Sequence, residues 1–186
     1  MKIQFLEGVI EMNIFIRKAT MEDIDEIECL YNTLNDYLAE HENGPKWKKG
    51  VYPLREHAEE TLAEGTLYVA VIDEKIAGTV VFSRDQGEVY RDINWQIEFD
   101  VPVFVICKLA VHPNYLRCGV AQSLLNYATA LGAQSGIKAI RLDTYEENIP
   151  AAKLYERCGF KYMGMIDLGL EEVYGLKWYR VYEKLV

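Results

Sequence analysis

The stretch VPVFVICKLAVHPNYLRCGVAQSLLNYATALGAQ, residues 101–134, decides the fold. Val101 to Val111 is the most apolar strand candidate in the chain, and His112 and Pro113 stop it. An apolar run without alternation implies a strand covered on both faces, which places it in the middle of a sheet. Beyond the loop NYLRCG, the apolar residues Val120, Leu124, Tyr127, Ala128 and Leu131 recur at helical spacing, predicting a helix from Val120 to Gln134. Gly119 and the small Ala121 fall where loop becomes helix, so the backbone there can approach a bulky anion. Unpaired N–H groups and the positive end of the helix dipole favour a phosphate at that point, and Arg117 adds a cation. A Gly-x-Ala alone is a weak signal, because helices often start this way.

The flanking segments extend the pattern in both directions. Upstream, NIFIRK (Asn13 to Lys18) alternates as a strand, and Thr20 can cap a helix with its stripe at Ile24, Ile27, Tyr31, Leu34 and Leu38. His41 to Pro53 reads as a loop, and Leu54, Ala58 and Leu62 as a short helix closed by Gly65. Leu67 to Ile72 and Lys75 to Ser83 form a hairpin turned at Asp73 and Glu74, followed by a polar segment, Arg84 to Asp100. Downstream, KAIRLD (Lys138 to Asp143) is a strand, and Asn148 caps a helix with Pro150 in its first turn and Gly159 at its end. Phe160 to Met165 and Val173 to Lys184 complete the sheet as strands. The order β α α β β β α β α β β is that of a mixed α/β domain.

Two ordered motifs carry a resemblance. CKLAVHPNYLRCGVAQSLLNYA is similar to the acetyl-CoA loop of the GNAT superfamily, a Gln or Arg, two residues, Gly, one residue, then Gly or Ala. RLDTYEENIPAAKLYERCGFKYMG resembles that family's second signature, with an Asn, a Tyr on the following helix and a terminal Gly-Phe. Together they span Val103 to Gly164, about a third of the chain. The resemblance implies a mostly antiparallel sheet of about seven strands flanked by four helices, with strands four and five splayed. It also implies that Leu109, Ala110 and Val111 hydrogen-bond the pantetheine arm through their backbone. The amides of Arg117, Cys118, Gly119, Val120, Ala121 and Gln122 would hold the pyrophosphate, and Asn148 would approach the cofactor arm. Tyr155 would protonate the departing CoA thiolate as general acid. The implied reaction is N-acetyl transfer from acetyl-CoA to a primary amine by direct attack, with a backbone N–H on the central strand stabilising the oxyanion. On its own helical stripe with Ala151, Leu154 and Cys158, Tyr155 would otherwise read as an ordinary half-buried aromatic.

The chain departs from the family pattern at two places. Cys107 stands where the family often has a carboxylate, leaving Glu98, Asp100 and Glu146 as candidate bases among which the sequence does not choose. Leu116 stands where the loop normally has Gln or Arg, which removes one side-chain donor from the phosphate site. These changes keep a second reading open, a non-catalytic acetyl-CoA-binding module of the same fold. Trp47, Tyr52, Tyr90 and Trp95 lie in the two irregular segments that the family uses to line its acceptor pocket. Of these, Trp47, Tyr52 and Trp95 are expected to hold a cationic amine by cation–π contact, or else simply to cover the sheet. The acceptor stays open among polyamines, amino-sugar antibiotics, amino acids and protein amines, since variable loops build that pocket.

Composition narrows the partners. At 186 residues, half of them apolar, the chain suits one domain with a substantial core. A net charge of −9 argues against nucleic acid, which requires a basic face. No apolar run approaches the roughly 20 residues that span a bilayer, and the N-terminus lacks a signal-peptide pattern, so a cytoplasmic location is expected. Four scattered cysteines and three histidines show no ligand spacing, so neither a metal nor a disulfide is expected. Neither G-x-G-x-x-G nor G-x-x-x-x-G-K-[ST] occurs, which removes support for an unrelated nucleotide binder. Exposed aromatics and terminal strands would suit a homodimer seam. Because the opening strand directly follows Met12, the domain is expected at 13–186, with 1–12 an extension and Met12 a candidate native start.

Overall fold

The computed structural model describes residues 13–186, so the expectation for the N-terminal extension lies outside the described residues. Its elements are β1 (Phe15–Lys18), α1 (Ile24–Glu40), α2 (Arg55–Ala63), β2 (Leu67–Ile72), β3 (Lys75–Ser83) and β4 (Val103–Val111). They continue as α3 (Val120–Gln134), β5 (Ala139–Tyr145), α4 (Ile149–Arg157), β6 (Lys161–Asp167), α5 (Glu171–Tyr174) and β7 (Trp178–Leu185). The seven strands make one sheet in the order β1-β2-β3-β4-β5-β7-β6, in which only β4 and β5 run parallel. The mixed α/β architecture expected from the sequence is the one observed. No helix of the described residues is long and apolar enough to cross a membrane.

Local chemistry accounts for the boundaries. The turn between β2 and β3 places both Asp73 and Glu74 at positive φ, the backbone of a tight hairpin whose twist matches its strands. Asn148 accepts a hydrogen bond from the Ala151 N–H, and Pro150 occupies the first turn of α4. Gly159, at φ 85°, lets the chain leave that helix for β6. One expectation is corrected: the strand predicted from Val173 begins instead at Trp178. Glu171 and Glu172 sit in the first turn of α5, where acidic residues suit the helix dipole, and left-handed Gly175 ends it.

Alternation along β4 distributes the core. Phe104 and Ile106 face α3 and α4, packing with Leu124, Leu125, Leu142 and Tyr182. Val103, Val105 and Cys107 face the other way, toward Tyr90, Trp95 and Val181 of one cluster, with Cys107 also meeting the α1 cluster of Ile27, Tyr31 and Leu34. Leu124 and Leu125 are fully buried, each worth roughly 1.5–3 kcal/mol of transfer free energy. The sheet is thus covered on both faces, as the apolar character of β4 requires.

Candidate active site

The site begins with a bulge. Val81 pairs with Cys107 but Thr79 pairs with Ala110, so β4 carries one extra residue between them, and Lys108 takes a positive φ of 50°. A bulge bends its strand and adds twist. Accordingly β4 pairs with β5 only from Val103↔Ala139 to Ile106↔Leu142, although both strands run on. Past that point the two strands splay. The edge of β4 from Cys107 to Val111 that faces β5 is left without strand partners, while its other edge stays paired with β3.

A cleft of about 810 Å³ occupies this gap. Leu109, Ala110 and Val111 line it, together with Ala121 and Asn148, so five of the expected cofactor residues converge with Tyr155, the expected general acid. Arg117 and Gly119, at φ 65° and 81°, form the turn that starts α3 beside the cleft. An added Cβ at Gly119 would meet open space, so the glycine is required by its backbone angle and not by crowding. Val120 is buried in the core and can offer only its amide, and Gln122 is exposed. The Cys118 amide is already donated to the Tyr115 carbonyl at 3.2 Å, which takes it out of the expected cradle. Leu116 lines the cleft as an apolar wall.

Asn148 is tied in place. Its amide nitrogen donates to the Thr144 hydroxyl at 2.9 Å. Gly44 lies so close that a Cβ there would come 2.5 Å from Asn148 Oδ1, so the loop after α1 is pressed against the start of α4. Tyr155 is 7% exposed and packed edge-on to Tyr182 at 5.6 Å. Burial first, and then the charge of Asp143, pushes the Tyr155 hydroxyl far above the ordinary phenol range, so it keeps its proton at any working pH. Cys107 is pushed up to about 12 by burial and by Asp143, with Lys108 opposing, and is therefore no thiolate nucleophile.

The expected acceptor residues separate. Trp47 and Tyr52 line the cleft, 5.5 Å apart and edge to face. Tyr52 also meets Tyr174 of α5 at 5.6 Å, joining the two segments that wall the acceptor end. Trp95 is elsewhere: its indole N–H donates to the Tyr90 carbonyl at 2.8 Å and its ring lies 4.3 Å from the Arg141 guanidinium, away from the cleft lining. The candidate bases do not reach the cleft lining either. Asp100 is exposed and pairs with Arg91 at 3.4 Å, while Glu98 and Glu146 meet Arg141 and Arg180 through their backbone carbonyls.

A residue the sequence reading missed does line the cleft. Asp143 of β5 faces the gap from the same side as Cys107, and its Oδ2 accepts from the Tyr90 hydroxyl at 2.5 Å. Burial raises its carboxyl above the ordinary range, partly opposed by that hydrogen bond. The nearest arginine in sequence, Arg141, is committed to Glu183 at 2.8 Å in a fully buried pair. Asp143 stands one residue before Thr144 in the signature RLDTYEEN, but only the splay reveals that it looks into open space.

Residues 27–160 match the Acetyltransferase (GNAT) family. Over 105 residues, 56% of this chain, the sequence is 44% identical to the streptothricin acetyltransferase of Escherichia coli; the match spans about half (52%) of that protein's length. A GNAT-family acetyltransferase from Streptococcus agalactiae 2603 superposes with a TM-score of 0.74 at 21% identity, covering 93% of this chain and 95% of its own. The ribosomal-protein-S18-alanine N-acetyltransferase of Escherichia coli gives 0.66 at 14% identity, with 94% of each chain covered. At these identities the two structures speak for the fold.

Proposed function

This chain belongs to the GNAT acetyltransferase family, and from that premise we propose that it transfers the acetyl group of acetyl-CoA to a primary amine by direct attack in a ternary complex. The observation that carries the reading is the unpartnered edge of β4 from Cys107 to Val111, opening on a cleft between Tyr155 and the start of α3. An extended arm bearing amides can pair with such an edge as a strand would. The helix start beside it suits a pyrophosphate, and Leu116, standing in place of a side-chain donor, weakens that cradle without removing its backbone.

The chemistry follows from proximity and polarity. An amine held against the thioester attacks its carbonyl, a β4 amide stabilises the oxyanion, and Tyr155 protonates the departing thiolate. The half-buried Cys107, kept neutral by desolvation, supports direct transfer over an acyl-enzyme. Trp47 and Tyr52, joined by Tyr174 and Tyr179, wall the acceptor end with aromatic rings that suit a cation. Streptothricin is the acceptor to try first, given the relative that shares 44% identity, followed by polyamines, amino sugars and peptides.

Calorimetric titration of acetyl-CoA, with ATP and NAD as controls, should show micromolar binding, about −8 kcal/mol. CoA release with the amine panel should then identify an acceptor, and Tyr155→Phe should lower kcat by roughly 10²-fold or more with acetyl-CoA binding kept. Absence of binding would overturn the reading. Binding without any amine-dependent CoA release would favour the non-catalytic module.

A further inference from the structure

Asp143 is a half-buried carboxylate, desolvated at the cleft wall, with no counter-ion. None of the ion pairs among the described residues includes it, and its one hydrogen bond, from Tyr90, leaves Oδ1 unengaged. A charge taken from water without a partner is costly, so such groups are seldom kept for structure alone. Tyr90 is itself held, because Trp95 donates to its carbonyl and the segment carrying it is fastened through Gln86, Ile97, Glu98 and Phe99 to Arg141. The carboxylate is therefore aimed, with one oxygen toward its support and the other toward the cleft.

Its position relative to Tyr155 gives that aim a meaning. Leu142 packs with Tyr155 on the α4 side of the sheet, and Asp143, its neighbour in the strand, faces the opposite side. The gap between β4 and β5 connects the two sides, and the charge of Asp143 reaches the Tyr155 hydroxyl through it. Groups facing Asp143 from the packed elements are Tyr90, Cys107, Tyr155, Tyr179 and Tyr52, all neutral in the working range, while Lys108 is the cation at the bulge.

We infer that Asp143, oriented by Tyr90, is the anchor and proton acceptor for the ammonium group of the acceptor. The inference rests on the acetyl-transfer reading and deepens it. The acceptor class it selects is a primary alkylammonium, since Trp47, Tyr52, Tyr174 and Tyr179 offer aromatic faces to a cation there, with Lys46 and Lys48 also on the cleft lining. One proton passes from the ammonium nitrogen to Asp143, freeing its lone pair. The nitrogen forms a bond to the thioester carbonyl carbon, and the C–S bond breaks with its electron pair on sulfur. Sulfur takes the hydroxyl proton of Tyr155, the second proton lost by nitrogen restores that phenol, and Asp143 returns its proton to solvent. Only about 1 in 2,500 of an ordinary lysine-like amine is unprotonated at pH 7, which is the obstacle this step removes.

The experiment titrates 2-phenylethylamine, and the uncharged 2-phenylethanol, into protein saturated with CoA. Wild type should prefer the amine by more than about 10-fold, a preference that grows with pH as Asp143 ionises. Asp143→Asn should abolish both the preference and its pH dependence, with acetyl-CoA affinity unchanged within about threefold. Tyr90→Phe keeps the carboxylate and removes the bond that lowers its pKa, so the pH midpoint should move upward, a shift that a purely structural Tyr90 would not produce. No amine preference in wild type, or a preference that survives in Asp143→Asn, overturns the inference while leaving the donor reading intact. Failure of wild type to bind acetyl-CoA overturns the donor reading itself.

Discussion

A desolvated carboxylate without a counter-ion sets the folded state against its own charge, and the half-buried Asp143 is such a group. Its folded pKa is raised, mainly by burial, above the unfolded value of about 3.9. The stability it contributes is therefore complete below the unfolded pKa and is lost as pH rises through the folded one. Asp143→Asn should accordingly melt above wild type at about pH 8, with the difference closing toward about pH 3.5. Thermal unfolding across that range checks it, and a variant that melts lower at high pH would show that the carboxylate stabilises. The strand edge, turn and helix start beside the cleft were legible in the sequence because they are written in local pattern from Cys107 to Gln122. Asp143 was not, because nothing local distinguishes a strand aspartate facing a gap from one facing a neighbour. Trp95 is placed elsewhere for a related reason: the segment from Arg84 to Asp100 has no period, and a side chain distant in sequence, Arg141 of β5, positions it.

Elements position the cleft through two glycines that act differently. Gly78 of β3 lies where an added Cβ would come 2.8 Å from Val120 and 2.9 Å from the Ala110 carbonyl, so it permits α3 to sit down on the sheet. Gly119 has open space around it and φ 81°, so it serves only the turn. Gly119→Ala should cost about 1–2 kcal/mol in stability, the penalty for a left-handed residue with a side chain. Because relaxation would re-aim the first amides of α3, acetyl-CoA binding should weaken about 5-fold or more, measurable by calorimetry. Unchanged affinity would mean that those amides do not meet the phosphates. The long elements were readable because each presents several turns or alternations of one pattern, and α3 begins and ends where its stripe predicts. Helix α5, at four residues, is too short to show a period, and the bulge at Lys108 is a matter of pairing that no single strand can display.

Over the whole molecule, the support for the cleft runs back to a buried ion pair. Arg141 and Glu183, both wholly inaccessible, meet at 2.8 Å, and Glu183 also accepts from the Gln96 N–H at 2.7 Å. Arg141→Met should destabilise by about 3–5 kcal/mol, because it strands the Glu183 charge, and denaturant unfolding would measure this. Replacing both residues by Met should recover much of that loss while leaving turnover low, since the segment carrying Tyr90 would lose its fastening. Recovery of turnover along with stability would separate the pair from the site. The splay has a mechanical consequence as well. Among the described residues, four residue pairs are the only strand-to-strand seam between a plate made of β1 to β4 and a plate made of β5, β7 and β6. A ligand arm lying along the open part of that seam would act as a rivet, so the two plates should breathe against each other when it is absent and move as one when it is in place.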